Sequence, residues 1–196
     1  MKRLLLYVHF NKYNRISSHV YYQLTKMRQI FSNVVFISNS SVCDKDYQKL
    51  VDLHLVDNFI QRENIGFDFA AWRDGMTAVG FKELATYDSV TIMNDTCFGP
   101  LWDIKDYYLE YESDDSVDFW GLTNNRATPK SRYTQGFREH IQSYFITFKK
   151  SVIVSPEFKN FWENVKNYTN VQDVIDNYET QVTTKFLDAG FNYKVI

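Results

Sequence analysis

Asp88-Ser89-Val90-Thr91-Ile92-Met93-Asn94-Asp95-Thr96-Cys97-Phe98-Gly99-Pro100 decides how this chain is read. Val90 to Met93 is a short run rich in β-branched residues, the composition of a buried strand. It passes directly into Asn94-Asp95-Thr96, which cannot continue an apolar strand, and Gly99-Pro100 then forces a turn. In an open α/β sheet, ligands bind just beyond the carboxyl ends of the strands. A carboxylate at Asp95 is placed there to hold a metal or a sugar hydroxyl. Capping a turn is the other use of an Asp at such a point.

The segments upstream supply the sheet. Leu4 to Phe10 is a nearly continuous apolar run, as a strand buried on both faces requires. Val20, Leu24, Met27 and Phe31 recur at helical spacing over 17–31, with Ser17 or Ser18 as cap. Val34 to Ser38 reads as a second strand, Asp44 to Leu53 as a short helix, and Leu55 to Ile60 as a weaker third strand. The β-α-β-α-β order predicts an α/β fold, a mostly parallel sheet with helices on both faces. The loop Gln61 to Phe67 turns at Gly66 and leads into a helix from Asp68 to about Val79, with Asp68 as its N-cap. Arg62, Asn64 and Asp68 then project from the sheet edge that carries Asp95.

Downstream, Val117 to Thr123 reads as a strand, and the polar Asn124 to Phe137 as a mobile loop. Ile141 to Lys149 alternates as an edge or antiparallel strand does. Ser155-Pro156-Glu157 opens a helix. A last helix runs from about Tyr178 to Asp188, and the strand that follows is cut off at Ile196.

Composition narrows the function. A chain of 196 residues is long enough for one domain with a sizeable core. The net charge of −2, with Lys and Arg scattered, gives no footprint for nucleic acid. No Gly-x-Gly-x-x-Gly follows the first strand and no Gly-Lys-Ser/Thr loop exists, which removes the usual dinucleotide and phosphate-loop readings. Cys43 and Cys97 lack metal-ligand spacing and read as reduced thiols of a cytosolic protein. The abundant Tyr suits a carbohydrate-facing cleft, since each ring has an apolar body and a wet end.

Glu63-Asn64-Ile65-Gly66-Phe67-Asp68 and Asn94-Asp95-Thr96-Cys97-Phe98-Gly99-Pro100 together resemble the rhamnan synthesis F family of bacterial glycosyltransferase-like proteins. Val8-His9-Phe10 and Asp118 to Thr123 resemble it as well, so the likeness covers most of the chain. It implies a single GT-A-like, nucleotide-sugar-binding domain over 1–196 and a role in building rhamnose-containing cell-surface polysaccharide. The implied donor is dTDP-L-rhamnose, and the implied acceptor is a glycan or lipid-linked glycan. The implied place is the cytoplasm, at the inner face of the cell membrane through partners. Family members are usually longer, so a fragment or a stand-alone donor domain is expected.

In such folds an Asp-x-Asp-like element at a strand end binds a divalent metal and the donor diphosphate. Asn94-Asp95-Thr96 occupies the matching positions with one carboxylate where two are common. Asp95 then serves either as a ligand of Mg²⁺ or Mn²⁺, with water and phosphate oxygens completing the shell, or as a direct partner of a sugar hydroxyl. Position on the sheet edge and the resemblance together make His9, Arg62, Asn64, Gly66, Asp68, Asn94 and Asp95 the expected donor site. Arg62, Lys130 and Arg132 are the cations available to the diphosphate, the last two reading better as solvated surface. Glu179, at the expected start of the last helix, resembles the base that inverting enzymes of this fold place near the acceptor; favouring the helix dipole is its plainer role. Asp118 is a weaker base candidate. His140 is a candidate to face the cleft, His19 and His54 read as surface or capping residues, and Trp72, Trp120 and Trp162 read as core. The rival class is a catalytically silent module that binds a glycan or another synthesis enzyme.

Overall fold

The computed structural model describes residues 1–132 and 136–196. Its centre is β1 (Arg3–His9), whose seven residues are all buried. β1 pairs in parallel with β2 (Asn33–Ser38) on one side and with β4 (Ser89–Asn94) on the other. β3 (Asn58–Gln61) extends the parallel half beyond β2. Beyond β4 the sheet turns mixed. β8 (Phe145–Lys149) runs antiparallel to both β4 and β5 (Phe119–Gly121), and β9 (Tyr193–Val195) closes the far edge parallel to β5. The order is β3-β2-β1-β4-β8-β5-β9, with a separate ribbon of β6 (Asn124–Asn125) and β7 (His140–Ile141).

Alternation along the strands feeds two cores, because successive side chains leave opposite faces. Leu4, Leu6, Val8, Val90, Ile92, Ile146 and Phe148 meet α3 (Phe67–Val79), α7 (Pro156–Glu163) and α9 (Thr180–Asp188). Leu5, Tyr7, Val34, Phe36, Trp120 and Phe145 meet α1 (Ser18–Met27), α2 (Asp44–Asp52) and α5 (Lys105–Ser113). α4 (Phe81–Leu84), α6 (Lys150–Ile153) and α8 (Val171–Val174) are single turns that pack into the first of these cores. Among the described residues no helix is long and apolar enough to cross a membrane.

Several expected boundaries move, each for a local reason. Of the two alternatives for 141–149, the antiparallel one holds for β8 and the edge one does not. The stretch breaks at 142–144, and β8 lies between two partners, so Phe145, Ile146, Thr147 and Phe148 are all buried. Leu55 belongs to the turn before β3 rather than to the strand, following His54 at φ 51. α1 stops at Met27, and Ser17 stands at its N-cap without a side-chain bond to the helix. Asp68 is not the N-cap of α3; Gly66 is, at φ 75. The last helix begins earlier than expected, at α8, and passes through a π-helical turn over Ile175–Glu179 before α9. α7 opens at Ser155-Pro156-Glu157 as expected, and Ser155 caps it by accepting from the Phe158 amide at 3.1 Å. Of the loop expected over 124–137, residues 133–135 lie outside the described residues; its flanks carry β6 and an antiparallel bridge between Thr128 and Phe137.

Gly121 marks the tightest packing in β5. A Cβ added there would lie 2.2 Å from Ile141 Cγ2 and 2.9 Å from the Phe145 carbonyl oxygen. The second contact is backbone and cannot swing aside. Gly121→Ala is therefore expected to destabilise the fold by about 1–3 kcal/mol, the usual cost of forcing atoms into a packed core. A melting temperature equal to that of the unchanged protein would refute this placement of β5.

Candidate functional site

The carboxyl ends of β1, β2, β3 and β4 form one edge, and the polar residues of the sequence motifs converge on it. β4 delivers Asn94 and Asp95 there. The Asn94 amide ties two segments together. Its Nδ2 donates to Asp68 Oδ2 at 2.7 Å, and its Oδ1 accepts from the Thr96 amide at 3.2 Å and the Thr96 hydroxyl at 2.6 Å. Asp68, in the first turn of α3, thus holds the end of β4 rather than capping its own helix.

Asp95 sits in a partly enclosed position, where its Oδ2 accepts from the Phe10 amide at 3.4 Å. Burial raises its pKa to about 7, the Phe10 bond opposes the rise, and the charge of Asp68 adds to it. Asp68 is itself shifted upward, first by burial and also by the charge of Glu179, against the Asn94 hydrogen bond and Arg62. Glu179, at the end of the π-helical turn, is shifted upward by burial, against His140 and the Ser143 amide. Three carboxylates with raised pKa values on one edge mark a place built to meet something positive or protonated.

His9 lies beneath this edge, with no exposed surface, and does not face the cleft. Its Nε2 faces the Arg15 carbonyl at 3.2 Å and can only donate to it. Burial lowers its pKa to about 4, so the ring is neutral near pH 7 and Nδ1 accepts from the Ser38 hydroxyl at 3.0 Å. The 3.9 Å approach of Nε2 to Asp95 Oδ2 is accordingly no ion pair at that pH.

Helix α1 supplies what the sequence reading missed. His19 Nε2 is 3.1 Å from the Asp95 carbonyl oxygen, Gln23 Nε2 donates to the Cys97 carbonyl at 2.5 Å, and the Tyr22 hydroxyl donates to the Pro100 carbonyl at 2.9 Å. Gln23 is in turn held by the Tyr7 hydroxyl. One helix face therefore grips the loop after β4 at three carbonyls. Polar residues at positions 19, 22 and 23 among the apolar residues of α1 were the only trace of this in the sequence.

A second feature occupies the ends of β2 and β3. An open cavity of about 430 Å³ is lined by Asn14, Asn39, Ser40, Ser41, Gln61, Arg62, Glu63 and Asn64. Arg62 uses each of its three nitrogens on the protein, donating to Asp74 at 2.8 Å, Asn39 Oδ1 at 2.7 Å and the Ile65 carbonyl at 2.7 Å. Asn39 is 4% exposed, and its Nδ2 has no hydrogen-bond partner. A buried donor left unmade costs about 1–3 kcal/mol, which a ligand carbonyl would recover. Gly66 is buried behind this wall. Its amide donates to the Tyr168 carbonyl at 2.8 Å, and a Cβ there would lie 2.5 Å from Ala70 Cβ, so its part is to let the loop pass.

His140 is buried against Phe137, near enough to Glu179 to act on its charge. The other candidates lie elsewhere, and Trp72, Trp120 and Trp162 are core. Asp118 bonds the Ser151 hydroxyl and the Asn192 amide at the far end of β5. Lys130 is exposed on the 124–137 loop. Both cysteines are free and exposed. Among the described residues no group of three or more His, Cys, Asp or Glu side chains is arranged to hold a metal ion.

The chain belongs to the rhamnan synthesis protein F family, whose model matches residues 34–196. Over 162 residues it is 32% identical to the uncharacterized protein y4gN of Sinorhizobium fredii, covering 81% of this chain and 39% of that protein. Over 178 residues it is 25% identical to the virulence protein VirA of Vibrio anguillarum, covering 89% of this chain and 52% of that one. The chain thus spans about half or less of the curated relatives it matches. Its fold is GT-A-like. It superposes with a TM-score of 0.59, at 11% identity, on the mannosyltransferase PcManGT of Pyrobaculum calidifontis in complex with GDP-Man and Mn²⁺, over 98% of this chain and 54% of that one.

Proposed function

We propose that this chain is the donor-binding domain of a glycosyltransferase that moves rhamnose from dTDP-L-rhamnose to a growing cell-surface polysaccharide, working at the inner face of the cell membrane. One observation carries the reading. A polar cavity with an orphan buried amide, Asn39, and a partly buried carboxylate, Asp95, share one strand-end edge with β1 between them. A nucleoside in the cavity offers base carbonyls to Asn39 Nδ2. Its diphosphate then lies across the end of β1 and reaches Asp95, with Asn94 and Asp68 fixing the height of that carboxylate.

The donor set suits Mg²⁺ or Mn²⁺ only if the substrate completes it: Asp95 supplies one oxygen, and diphosphate and water supply the others. The Mn²⁺ in the mannosyltransferase complex supports such an ion. When bound, it would neutralise charge on the leaving diphosphate. Glu179 takes the proton of the acceptor hydroxyl. Its raised pKa brings it nearer to neutral pH, where a general base works best. The catalytically silent reading draws on the single carboxylate of Asn94-Asp95-Thr96.

Thermal shift with dTDP-L-rhamnose, with and without Mn²⁺, separates the two. At a hundred times its dissociation constant, a ligand stabilises by about 2.7 kcal/mol, which for a chain of this size is a rise of roughly 5–10 °C. No shift with dTDP-, UDP- or GDP-sugars would leave the silent module standing.

A further inference from the structure

The loop that follows Asp95 displays large apolar side chains to solvent. Phe98 is 78%, Leu101 80% and Trp102 64% exposed. The loop is not loose. Gln23, Tyr22 and His19 hold its carbonyls, and the Asp103 carboxylate caps the turn into α5 by accepting from the Lys105 amide at 2.9 Å. Burying each such side chain would gain about 1.5–3 kcal/mol. A fixed loop that forgoes this gain beside an available core presents those side chains to a partner.

What the partner is follows from the surroundings. Phe98 packs on His19 with ring centroids 4.6 Å apart, and His19 touches the Asp95 carbonyl. From His19 the polar side of α1 continues through Tyr22 to Lys26, at steps of three and four residues, and Gln29 follows in the turn after the helix. The helical part of that stripe is about 10 Å long at 1.5 Å per residue. Its far half, with Leu101, Trp102 and Asp103, lines a cavity of about 290 Å³. Rings to cover the C–H faces of a sugar thus alternate with an ammonium, an amide and a carboxylate for its hydroxyls. Charge argues against an anionic lipid surface: the cavity wall carries one ammonium, Lys26, and one carboxylate, Asp103, with no excess of positive charge.

We propose that the α1 stripe and the 98–102 loop form a track for the acceptor glycan, leading its growing end to Asp95. The assignment of an acceptor to this track rests on the transferase reading above; saccharide binding itself does not.

Trp102 reports on the track directly, because the other tryptophans, Trp72, Trp120 and Trp162, are fully buried. A rhamnose oligosaccharide titrated into the whole protein is expected to shield Trp102 from iodide quenching. Trp102→Ala and Lys26→Ala should each weaken its binding at least tenfold by calorimetry, while dTDP binding stays unchanged. Retained dTDP binding without any shielding by the oligosaccharide overturns the track and leaves the donor site intact. Shielding by phosphatidylglycerol vesicles but not by the oligosaccharide also overturns it, in favour of a membrane surface. Shielding by the oligosaccharide with no nucleotide binding keeps the track as a glycan site and removes the transferase reading.

Discussion

Asp95→Asn is expected to abolish the thermal shift with dTDP-L-rhamnose, to lower transfer at least a hundredfold, and yet to raise the melting temperature of the free protein above pH 7. The first two effects follow from removing the carboxylate that would hold a divalent ion against the diphosphate; loss of one such electrostatic contribution in a water-poor site is worth about 10²–10³ in rate. The third follows from the pKa. Burial lifts the Asp95 pKa from an ordinary 3.8 to about 7. Between those values the native protein holds a proton that the unfolded chain has released. Stability therefore falls as pH rises through that window, and the loss is complete above pH 7. At 1.36 kcal/mol per unit it reaches about 4 kcal/mol. Asn keeps the shape, accepts from the Phe10 amide and carries no charge, so the variant escapes the loss. Its advantage should grow from near zero at pH 4 to its full size at pH 8. A difference in melting temperature that is flat from pH 4 to pH 8 would mean that Asp95 is not buried as the geometry has it.

The same residue shows how far the sequence could be read. Strand runs such as Leu4–Val8 and Val90–Met93 identify the parallel half of the sheet, because burial on both faces leaves an uninterrupted apolar signature. The position of Asp95 at a strand end followed from that half alone. β8 was harder. Its alternation looks like a half-exposed strand, yet pairing with β4 and β5 buries Thr147 too, where its hydroxyl meets Thr91 and Tyr108. Tyr178-Glu179-Thr180 looks like a first turn, which puts Glu179 at a helix start, and no local pattern announces the π-helical turn that ends there. His19, Gln23 and Asn39 escaped for a different reason. Each acts on a partner far along the chain, Asp95, Cys97 and Arg62 respectively, so their roles depend on which strands become neighbours. Asp68 illustrates the reverse error. An Asp after Gly-Phe resembles a cap, but the carboxylate accepts from the Asn94 side chain and the cap position of α3 falls to Gly66.

Glu179→Gln is expected to lower kcat by about 10²–10⁴, the usual worth of a positioned general base, while the KM for the donor stays the same. Glu179 makes no hydrogen bond to Asn94 or Asp95, so the nucleotide contacts do not depend on it; its link to them is the charge it projects on Asp68. That link predicts a second effect. With Glu179 neutral, Asp68 ionises more easily, and the variant should be at least as heat-stable as the unchanged protein. A purely structural Glu would give the opposite result, since the bond from the Ser143 amide would be weakened with nothing gained in return. The pH profile divides the readings further. Burial raises the Glu179 pKa, so an enzyme that uses the carboxylate as base gains rate as pH rises through that value, and the acidic limb should vanish in the Gln variant. Glu179→Asp, which keeps the charge but draws it back by one methylene, should retain the limb at a reduced rate. If Glu179→Gln leaves kcat within threefold, or raises the donor KM instead, the base must be sought elsewhere on this edge. Asp95 itself then becomes the candidate, because its pKa of about 7 suits proton transfer and no metal would need to bind it.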